Sequence, residues 1–241
     1  MNIEILYKEL YVYGEDANAE YLEMMFDKHN IINTDFNETP YFVDNRPDLI
    51  FIDAISEHFL DQIAEKLLVY KERLKELIED GVHIIIMNNA MDIFGKSLNI
   101  SGFGEAYEGK CLGLLNYITY RDYDNRHVRL TLADFKGHEH VAINMGFSQY
   151  YYEDESDHLY ETTAGYGFNM KTTLGGFRYK NVYCTELVGE LFIVNPHLSK
   201  DLLKELGQEE KLPYEEYVYE IYNFKLKNLK NDPKVNEPTE K

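Results

Sequence analysis

The chain has 241 residues, and its 44% hydrophobic and 14% aromatic side chains are typical of a folded globular protein rather than a disordered or fibrous one. Its 43 acidic and 24 basic residues give a formal net charge of −19. So acidic a surface repels the phosphates of nucleic acids and of anionic lipids, and we therefore expect neither a nucleic acid nor a membrane among its partners.

The N-terminal residues and the cysteines indicate the cellular compartment. The first residues show no basic segment followed by a long apolar one, which a signal peptide would have, and the sequence has no run of about 18 apolar residues, which a membrane-spanning helix would need. We therefore expect a cytoplasmic protein. Cys111 and Cys184 are too few for a disulfide framework and wrongly spaced for zinc. We expect both to be buried thiols.

Strands and helices alternate over the first 87 residues. The apolar pattern predicts strands over 2–7, 31–36, 48–55 and 82–87 and helices over 16–28 and 57–80, the second ending at Gly81. Parallel strands need connections long enough to contain a helix, so this alternation predicts a parallel sheet covered by helices. Ligands bind such sheets at the carboxyl ends of the strands, which is where Asn88 follows its strand.

The pattern changes after residue 110. Three strand-like segments, 112–120, 127–135 and 139–151, follow one another with hardly a helical residue between them. In the third, apolar residues alternate with smaller or polar ones such as Asn144, which predicts one buried and one more polar face. An antiparallel extension of the sheet is therefore expected.

A glycine-rich loop, a strand and two helices are predicted for the rest of the chain. The loop covers 164–177, the strand 179–188, and the helices 199–206 and 214–229. The last helix carries an apolar stripe: Tyr214, Tyr217, Val218, Ile221 and Phe224. We expect this stripe to pack against the core, with docking to a partner protein as the alternative. The expected domains are 1–207, a helical extension over 208–230 and a disordered tail over 231–241.

Four sequence segments together resemble one enzyme family. They are LYKELYVYGEDANAEYL near the start, CLGLLNYIT at 111–119, INMG at 143–146, and GYGFNMKTTLGGFRYKNVYCTELVGELFIVNP at 165–196. They are similar to class I glutamine amidotransferases, in the branch of cobyric acid synthase and the amidotransferase subunit of lipid II isoglutaminyl synthase. The resemblance covers about residues 3–207. It implies a three-layer, flavodoxin-like α/β fold with a parallel sheet and an antiparallel extension.

The resemblance also shows which catalytic groups differ. In that family a cysteine on the turn after a strand attacks glutamine, and a histidine on a later strand activates the thiol, since the thiolate is the nucleophile. Here Asn88 occupies the cysteine position and Val188 the histidine position. Neither an amide nor an aliphatic side chain can perform these steps.

The groups around the nucleophile differ as well. Asp53 occupies the turn that supplies an oxyanion-binding N–H in the family, and its carboxylate would oppose a developing negative charge. Asp92 stands where a glutamine is usual, and Asn89 and Ala90 replace the glycines after the nucleophile. Asparagine tolerates a positive φ, so we expect the turn itself to keep its backbone shape.

These substitutions predict a catalytically degenerate protein. Removing a complete catalytic triad costs roughly six orders of magnitude in turnover. The resemblance then implies a binding or regulatory subunit of a synthetase or ligase complex, in cell-wall or cofactor amidation. The implied partners are a Mur-ligase-like or other synthetase subunit and a small amide or amino acid. We expect no cofactor.

The alternative is an enzyme with altered hydrolase or transferase chemistry in the same cleft. Cys184 shares a predicted strand face with Val188, and carboxylates from Asp53, Asp92, Glu186 and Glu190 would form an acid–base group if they converged with separated pKa values. The residues expected to line the pocket are Asn89, Asn144, Glu186, Glu190 and Cys184.

A histidine pair needs separate consideration. His138 and His140 share one face of a predicted strand, which is acceptable geometry for two ligands of a metal ion. Two histidines are insufficient evidence without a third ligand. We therefore interpret them as part of a polar strand face and expect no metal.

Overall fold

The computed structural model describes residues 1–12, 14, 16–232 and 235. The strands are β1 (Asn2–Leu6), β2 (Asn30–Thr34), β3 (Leu49–Ile52), β4 (His83–Met87), β5 (Gly95–Gly102), β6 (Glu105–Glu108), β7 (Leu115–Asp122), β8 (His127–Phe135), β9 (His138–Gly146), β10 (Ser148–Tyr152), β11 (Tyr160–Ala164), β12 (Leu174–Gly175), β13 (Phe177–Tyr179), β14 (Val182–Thr185) and β15 (Leu187–Val188). The helices are α1 (Asp16–Met25), α2 (Glu57–Leu68), α3 (Lys71–Glu79), α4 (Met91–Phe94), α5 (Leu191–Val194), α6 (Pro196–Glu205) and α7 (Glu215–Asn231).

A six-stranded sheet lies at the centre, in the order β13–β14–β4–β3–β1–β2. All its neighbours pair in parallel except β13, which pairs with β14 in the antiparallel sense. The isoleucine-rich β4 is buried on both faces along 84–87, as expected of a strand covered by helices on both sides. The predicted α/β architecture with a parallel sheet is confirmed.

The segment predicted as one helix over 57–80 is two helices. α2 ends at Leu68 and α3 begins at Lys71, because Tyr70 leaves the helical region with φ −107° and ψ 14°. The Tyr70 ring packs edge-on against Phe42, with 6.1 Å between centroids. Gly81 follows with φ +74°, the left-handed conformation predicted for it.

Two smaller sheets form the predicted antiparallel extension. One has the order β10–β7–β5–β6, in which β5 and β7 are parallel, and the other has the order β12–β11–β8–β9–β15 and is antiparallel throughout. Strand β15 follows β14 after a single residue, Glu186, and pairs with β9. The chain thus passes directly from the central sheet to the antiparallel one beside the carboxyl end of β4.

The C-terminal helix α7 packs on β9 and α5 with a side that includes only Val218 of its predicted stripe. Val218 and Tyr222 are buried, and the Tyr222 hydroxyl donates a hydrogen bond to the carbonyl oxygen of Glu139 at 2.9 Å. The prediction that the stripe packs against the core is correct for Val218 and wrong for the rest. Those four side chains are exposed: Tyr214, Tyr217, Ile221 and Phe224.

The predicted disordered tail over 231–241 falls largely outside the described residues. Asn231 is the last residue of α7, and Val235 is buried against Leu132 and Val141. Residues 233, 234 and 236–241 lie outside the part of the chain that the structure describes.

Candidate functional site

The turn after β4 has the shape that the sequence predicts. Asn88 has a φ of +46°, and residues 88–90 form a short 3-10 helix that continues into α4. Asparagine is among the few residues with a side chain that adopt this conformation readily. The strand–turn–helix therefore keeps the geometry of a nucleophile elbow while displaying an amide.

The Asn88 side chain is a structural link. Its Nδ2 donates to the carbonyl oxygens of Met145 at 2.9 Å and of Glu186 at 2.8 Å. The backbone carbonyl oxygen of Asn88 accepts a hydrogen bond from the Tyr150 hydroxyl at 3.0 Å. Because both amide hydrogens are committed to backbone carbonyls, the side chain joins the elbow to β9 and to the β14–β15 junction.

The neighbouring amide, Asn89, holds the loop that follows β3. Its Oδ1 accepts from the Ile55 N–H at 2.8 Å, and its Nδ2 donates to the Ile55 carbonyl oxygen at 2.6 Å. Asp53 makes a similar local contact, since its Oδ1 accepts from the Ala54 N–H at 2.6 Å. The backbone N–H groups of Ala54 and Ile55 are thus both bound to side chains of the protein.

Asp53 itself is completely buried. Its second carboxylate oxygen accepts a hydrogen bond from Asn18 Nδ2 at 2.9 Å, and Asn18 also donates to the Gly189 carbonyl oxygen. Burial raises the pKa of Asp53 to about 7, against the opposing effect of the hydrogen bonds from Ala54 and Asn18.

Asp92 forms a buried ion pair. Its Oδ2 accepts hydrogen bonds from Arg121 Nε at 2.8 Å and from the Ser148 hydroxyl at 2.7 Å. The side chains of Asp92 and Arg121 are 0% and 2% exposed, so this charge is neutralised inside the protein. Arg121 donates further to the Tyr123 hydroxyl at 3.2 Å.

Glu186 is the least satisfied of the buried carboxylates. Its Oε2 accepts from the Gly176 N–H at 2.9 Å, whereas its Oε1 has no hydrogen-bond partner in the described part of the chain. Burial raises the pKa of Glu186 to about 7, against the opposing effect of hydrogen bonds such as the one from the Gly176 N–H. Gly176 is required here: it has a φ of +61°, and a Cβ would lie 2.8 Å from the Cys184 carbonyl oxygen.

These groups border a very small pocket. Its volume is about 10 Å³, close to the space that a single water molecule needs. The lining includes Asn88, Asn89, Arg121, His127, Asn144 and Glu186. Three of the predicted pocket residues, Asn89, Asn144 and Glu186, therefore come together beside the elbow.

Sequence reasoning missed Arg121 and His127 at this pocket. His127 Nε2 lies 2.9 Å from Asn144 Oδ1, and burial lowers the pKa of His127. Asn144 Nδ2 in turn donates to the Gly167 carbonyl oxygen at 2.9 Å. His127 and Asn144 are brought together by the pairing of β8 with β9; the sequence predicts both strands but does not indicate which of their side chains meet.

The other predicted site residues lie elsewhere. Val188 is buried in β15 and pairs with Ile143. Cys184 lies in β14 with no exposed surface, and burial raises the pKa of its thiol. Glu190 faces outward and pairs with Lys225 at 3.5 Å. Of the four carboxylates, only Glu186 lines the pocket, and each has its own partners, so they form no shared acid–base group.

The histidine pair has separate surroundings. His138 stacks on His197 with 3.9 Å between ring centroids, while His140 is buried next to Phe135. Burial lowers the pKa of His140 to about 4, so its ring is neutral near pH 7. Within the described residues, no three His, Cys, Asp or Glu side chains are arranged to hold a metal ion.

Comparisons with known proteins agree with this architecture. No family model matches the chain. A crystal structure of a glutamine amidotransferase superposes with a TM-score of 0.53 at 11% identity, covering 85% of this chain and 98% of the other. A second, from Thermotoga maritima, gives a TM-score of 0.52 at 10% identity, covering 96% of this chain and 99% of the other. The fold is that of the glutamine amidotransferases.

A curated relative is more similar in sequence. The lipid II isoglutaminyl synthase (glutamine-hydrolyzing) subunit GatD of Staphylococcus aureus (strain N315) is 28% identical over 212 residues, which cover 86% of this chain and 84% of that protein. The predicted class I glutamine amidotransferase-like fold is confirmed. Among the described residues, no helix is both long and apolar enough to cross a membrane.

The hydrogen bonds of the elbow predict the stability of two variants. Asn88→Gly keeps the positive φ but leaves two carbonyls unpaired, and we expect a loss of about 2 kcal/mol in the free energy of unfolding. Asn88→Ala adds the strain of a left-handed backbone and should cost about 1 kcal/mol more. Urea denaturation measures both. The control is Asn228→Ala on the exposed side of α7, which should stay within about 0.5 kcal/mol of wild type. Equal unfolding free energies for all three variants would contradict a structural role of the Asn88 amide.

The raised pKa of Glu186 predicts a pH dependence of stability. The carboxyl group ionises at about 4.5 in the unfolded chain and at about 7 in the folded one. Between these values the folded state binds more protons, so the stability that Glu186 contributes is present at low pH and is lost as the pH rises through 7. Relative to Glu186→Gln, wild type should lose up to about 3 kcal/mol of unfolding free energy between pH 4.5 and pH 7.

Urea denaturation at several pH values tests this. Glu190→Gln is the matched control, because Glu190 is half exposed and pairs with Lys225 at the surface. Its profile should run parallel to that of wild type. A Glu186→Gln profile with the same slope as wild type would show that Glu186 is ionised in the folded protein.

Proposed function

We propose that this chain is a glutamine amidotransferase-like subunit that no longer hydrolyses glutamine and that serves a synthetase or ligase as a binding or regulatory subunit, in cell-wall or cofactor amidation. The observation that carries the proposal is the elbow residue Asn88. Its amide is bonded to the carbonyls of Met145 and Glu186, beside a pocket of about 10 Å³.

Each requirement of glutamine hydrolysis is unmet at this elbow. An amide nitrogen cannot attack a carboxamide as a thiolate does, and the hydrophobic Val188 cannot carry a proton. A developing oxyanion needs free N–H donors, but those of Ala54 and Ile55 are bound to Asp53 and Asn89. The pocket holds about one water molecule, which leaves no room for an amino acid or for any amide of comparable size.

The synthetase partner is inferred from similarity. The S. aureus relative is named as a subunit of a glutamine-hydrolyzing synthase, and the match extends over most of both chains. A chain that retains the fold without the reaction can still contribute its surface to such an assembly. We therefore assign this chain a synthetase subunit as its partner, of the Mur-ligase-like type that the sequence resemblance implies.

The geometry does not favour altered chemistry in the same cleft. The Cys184 thiol has no solvent exposure and a raised pKa, so it supplies no accessible thiolate. Asp92 is neutralised by Arg121, and Asp53 is held by Asn18 and the Ala54 N–H. Of the four carboxylates that the sequence suggested for acid–base work, only Glu186 lines the pocket, so the expected pair with separated pKa values does not form among them.

A glutaminase assay tests the loss of catalysis. The purified chain should release no ammonia from glutamine above background, and neither Asn88→Cys nor Asn88→Cys/Val188→His should gain activity, because the oxyanion donors and the space for substrate stay blocked. Ammonia is measured with a coupled glutamate dehydrogenase assay, with a working glutamine amidotransferase as positive control. Ammonia release by wild type at a rate typical of working relatives would refute the proposal.

Affinity purification from cells that encode the chain tests the partner. We expect a synthetase with a Mur-ligase-like sequence to co-purify in stoichiometric amount with the tagged chain, as identified by mass spectrometry. The matched control is an equally tagged, unrelated acidic protein. Absence of any synthetase at native expression levels would contradict the assignment of a synthetase partner.

A further inference from the structure

One face of α7 exposes an unusual amount of apolar surface. The α7 stripe consists of Tyr214, which immediately precedes the helix, and of Tyr217, Ile221 and Phe224 within it; these residues are 69%, 65%, 40% and 70% exposed. Their spacings of three and four residues place them along one side of the helix. Single exposed apolar residues are common on soluble proteins, but a continuous row of large ones marks an interaction surface.

The helix that carries the stripe is firmly attached to the rest of the protein. The Tyr222 hydroxyl bonds to the Glu139 carbonyl oxygen at 2.9 Å, and the Tyr21 hydroxyl bonds to the Pro213 carbonyl oxygen at 2.9 Å. Lys200 pairs with Glu215 at 2.5 Å at the start of the helix. The stripe is therefore presented in a fixed orientation, which lowers the entropic cost of binding.

The composition of the α7 stripe is typical of a hot spot, the small part of an interface that supplies most of the binding free energy. Tyrosine is enriched at hot spots, and aromatic residues in general are enriched at protein interfaces. An amphipathic helix that offers apolar residues at intervals of three, four and three matches recognition by a groove on a second protein. Such a groove would receive Tyr217, Ile221 and Phe224 as anchors.

We infer that the α7 stripe is the docking surface for the synthetase subunit. The stripe binds an apolar groove on that subunit, and lysine and arginine side chains border the groove. This inference rests on the proposed function. It names the part of the chain that contacts the partner.

The charge beside the stripe favours a synthetase with a basic groove over a second copy of this chain as the binding partner. Glu216, Glu220 and Lys227 are exposed on one flank of the stripe, which therefore carries a net negative charge. The other two lysines of α7 are paired, Lys225 with Glu190 and Lys230 with Glu139. A second copy would bring the same acidic flank and its own net charge of −19 to the contact, and like charges oppose association. A groove with a basic border attracts the same flank.

Site-specific photocrosslinking tests the surface. Benzoylphenylalanine is placed at position 217 or 224 of the full chain in cells that encode it, with positions 107 and 128 as controls, since Tyr107 and Val128 are 52% and 60% exposed on the antiparallel extension. We expect crosslinks from positions 217 and 224 to a synthetase, identified by mass spectrometry, and none from the controls. Crosslinks to a synthetase from the controls alone would overturn the inference.

A matched pair of double variants gives the quantitative test. Tyr217→Ser/Phe224→Ser should reduce the co-purified synthetase at least tenfold, and Tyr107→Ser/Val128→Ser should reduce it less than twofold. All four side chains are exposed, so the thermal unfolding midpoints should match that of wild type.

The outcomes separate this inference from the proposed function. If wild type captures no synthetase, both fail. If wild type captures a synthetase and Tyr217→Ser/Phe224→Ser captures equally much, the partner stands and the surface is wrong. Sedimentation velocity covers the remaining case: a wild-type dimer that becomes monomeric in this double variant would make the stripe a homodimer face and overturn the inference.

Discussion

The side-chain amide of Asn88 is the link on which the geometry of the pocket depends. It ties the end of β4, in the central parallel sheet, to the Met145 carbonyl of β9 and to the Glu186 carbonyl between β14 and β15. The hydrogen bond to the Glu186 carbonyl is buried and the one to the Met145 carbonyl is partly buried, and an acceptor left unpaired in such surroundings is costly. A nucleophile must keep its side chain free to reach a substrate, whereas this side chain is held by the two segments that it connects.

The pocket beside the elbow is small because polar groups of the protein satisfy one another across it. The Asp92–Arg121 pair is fully buried, and removing either partner alone would leave an uncompensated charge. His127 and Asn144 bond to each other, and Asn89 bonds to the loop after β3. Three buried atoms of this network have no hydrogen-bond partner within the described residues: Glu186 Oε1, Asp92 Oδ1 and His127 Nδ1. The network therefore has the character of a polar core and leaves a pocket of only about 10 Å³ beside the elbow.

The order of elements could be predicted from the sequence because it depends on local patterns. Apolar runs alternating with helical periodicity indicated the parallel sheet, and the tolerance of asparagine for positive φ indicated the shape of the turn at Asn88. The break at Tyr70 gave no such signal, because the apolar spacing continues across it without glycine or proline.

The composition of the site and the exposed stripe depend on long-range packing. The pairing of β8 with β9 brings His127 to Asn144, and this register cannot be deduced from either strand alone. An apolar stripe indicates that one side of a helix favours contact with other apolar residues, but it does not show which part of the fold or of a partner covers that side. In α7 the fold covers Val218 and Tyr222 and leaves Tyr217 in solvent.

Strand β9 connects the outer helix to the elbow through a single rigid segment. Near its start, the Glu139 carbonyl receives the hydroxyl of Tyr222 from α7, and near its end the Met145 carbonyl receives the amide of Asn88. Six residue steps of extended chain, roughly 20 Å, separate the two contacts. The two contacts are therefore joined by extended strand backbone, with no loop between them. The outer helix and the turn after β4 are thus anchored to opposite ends of one strand.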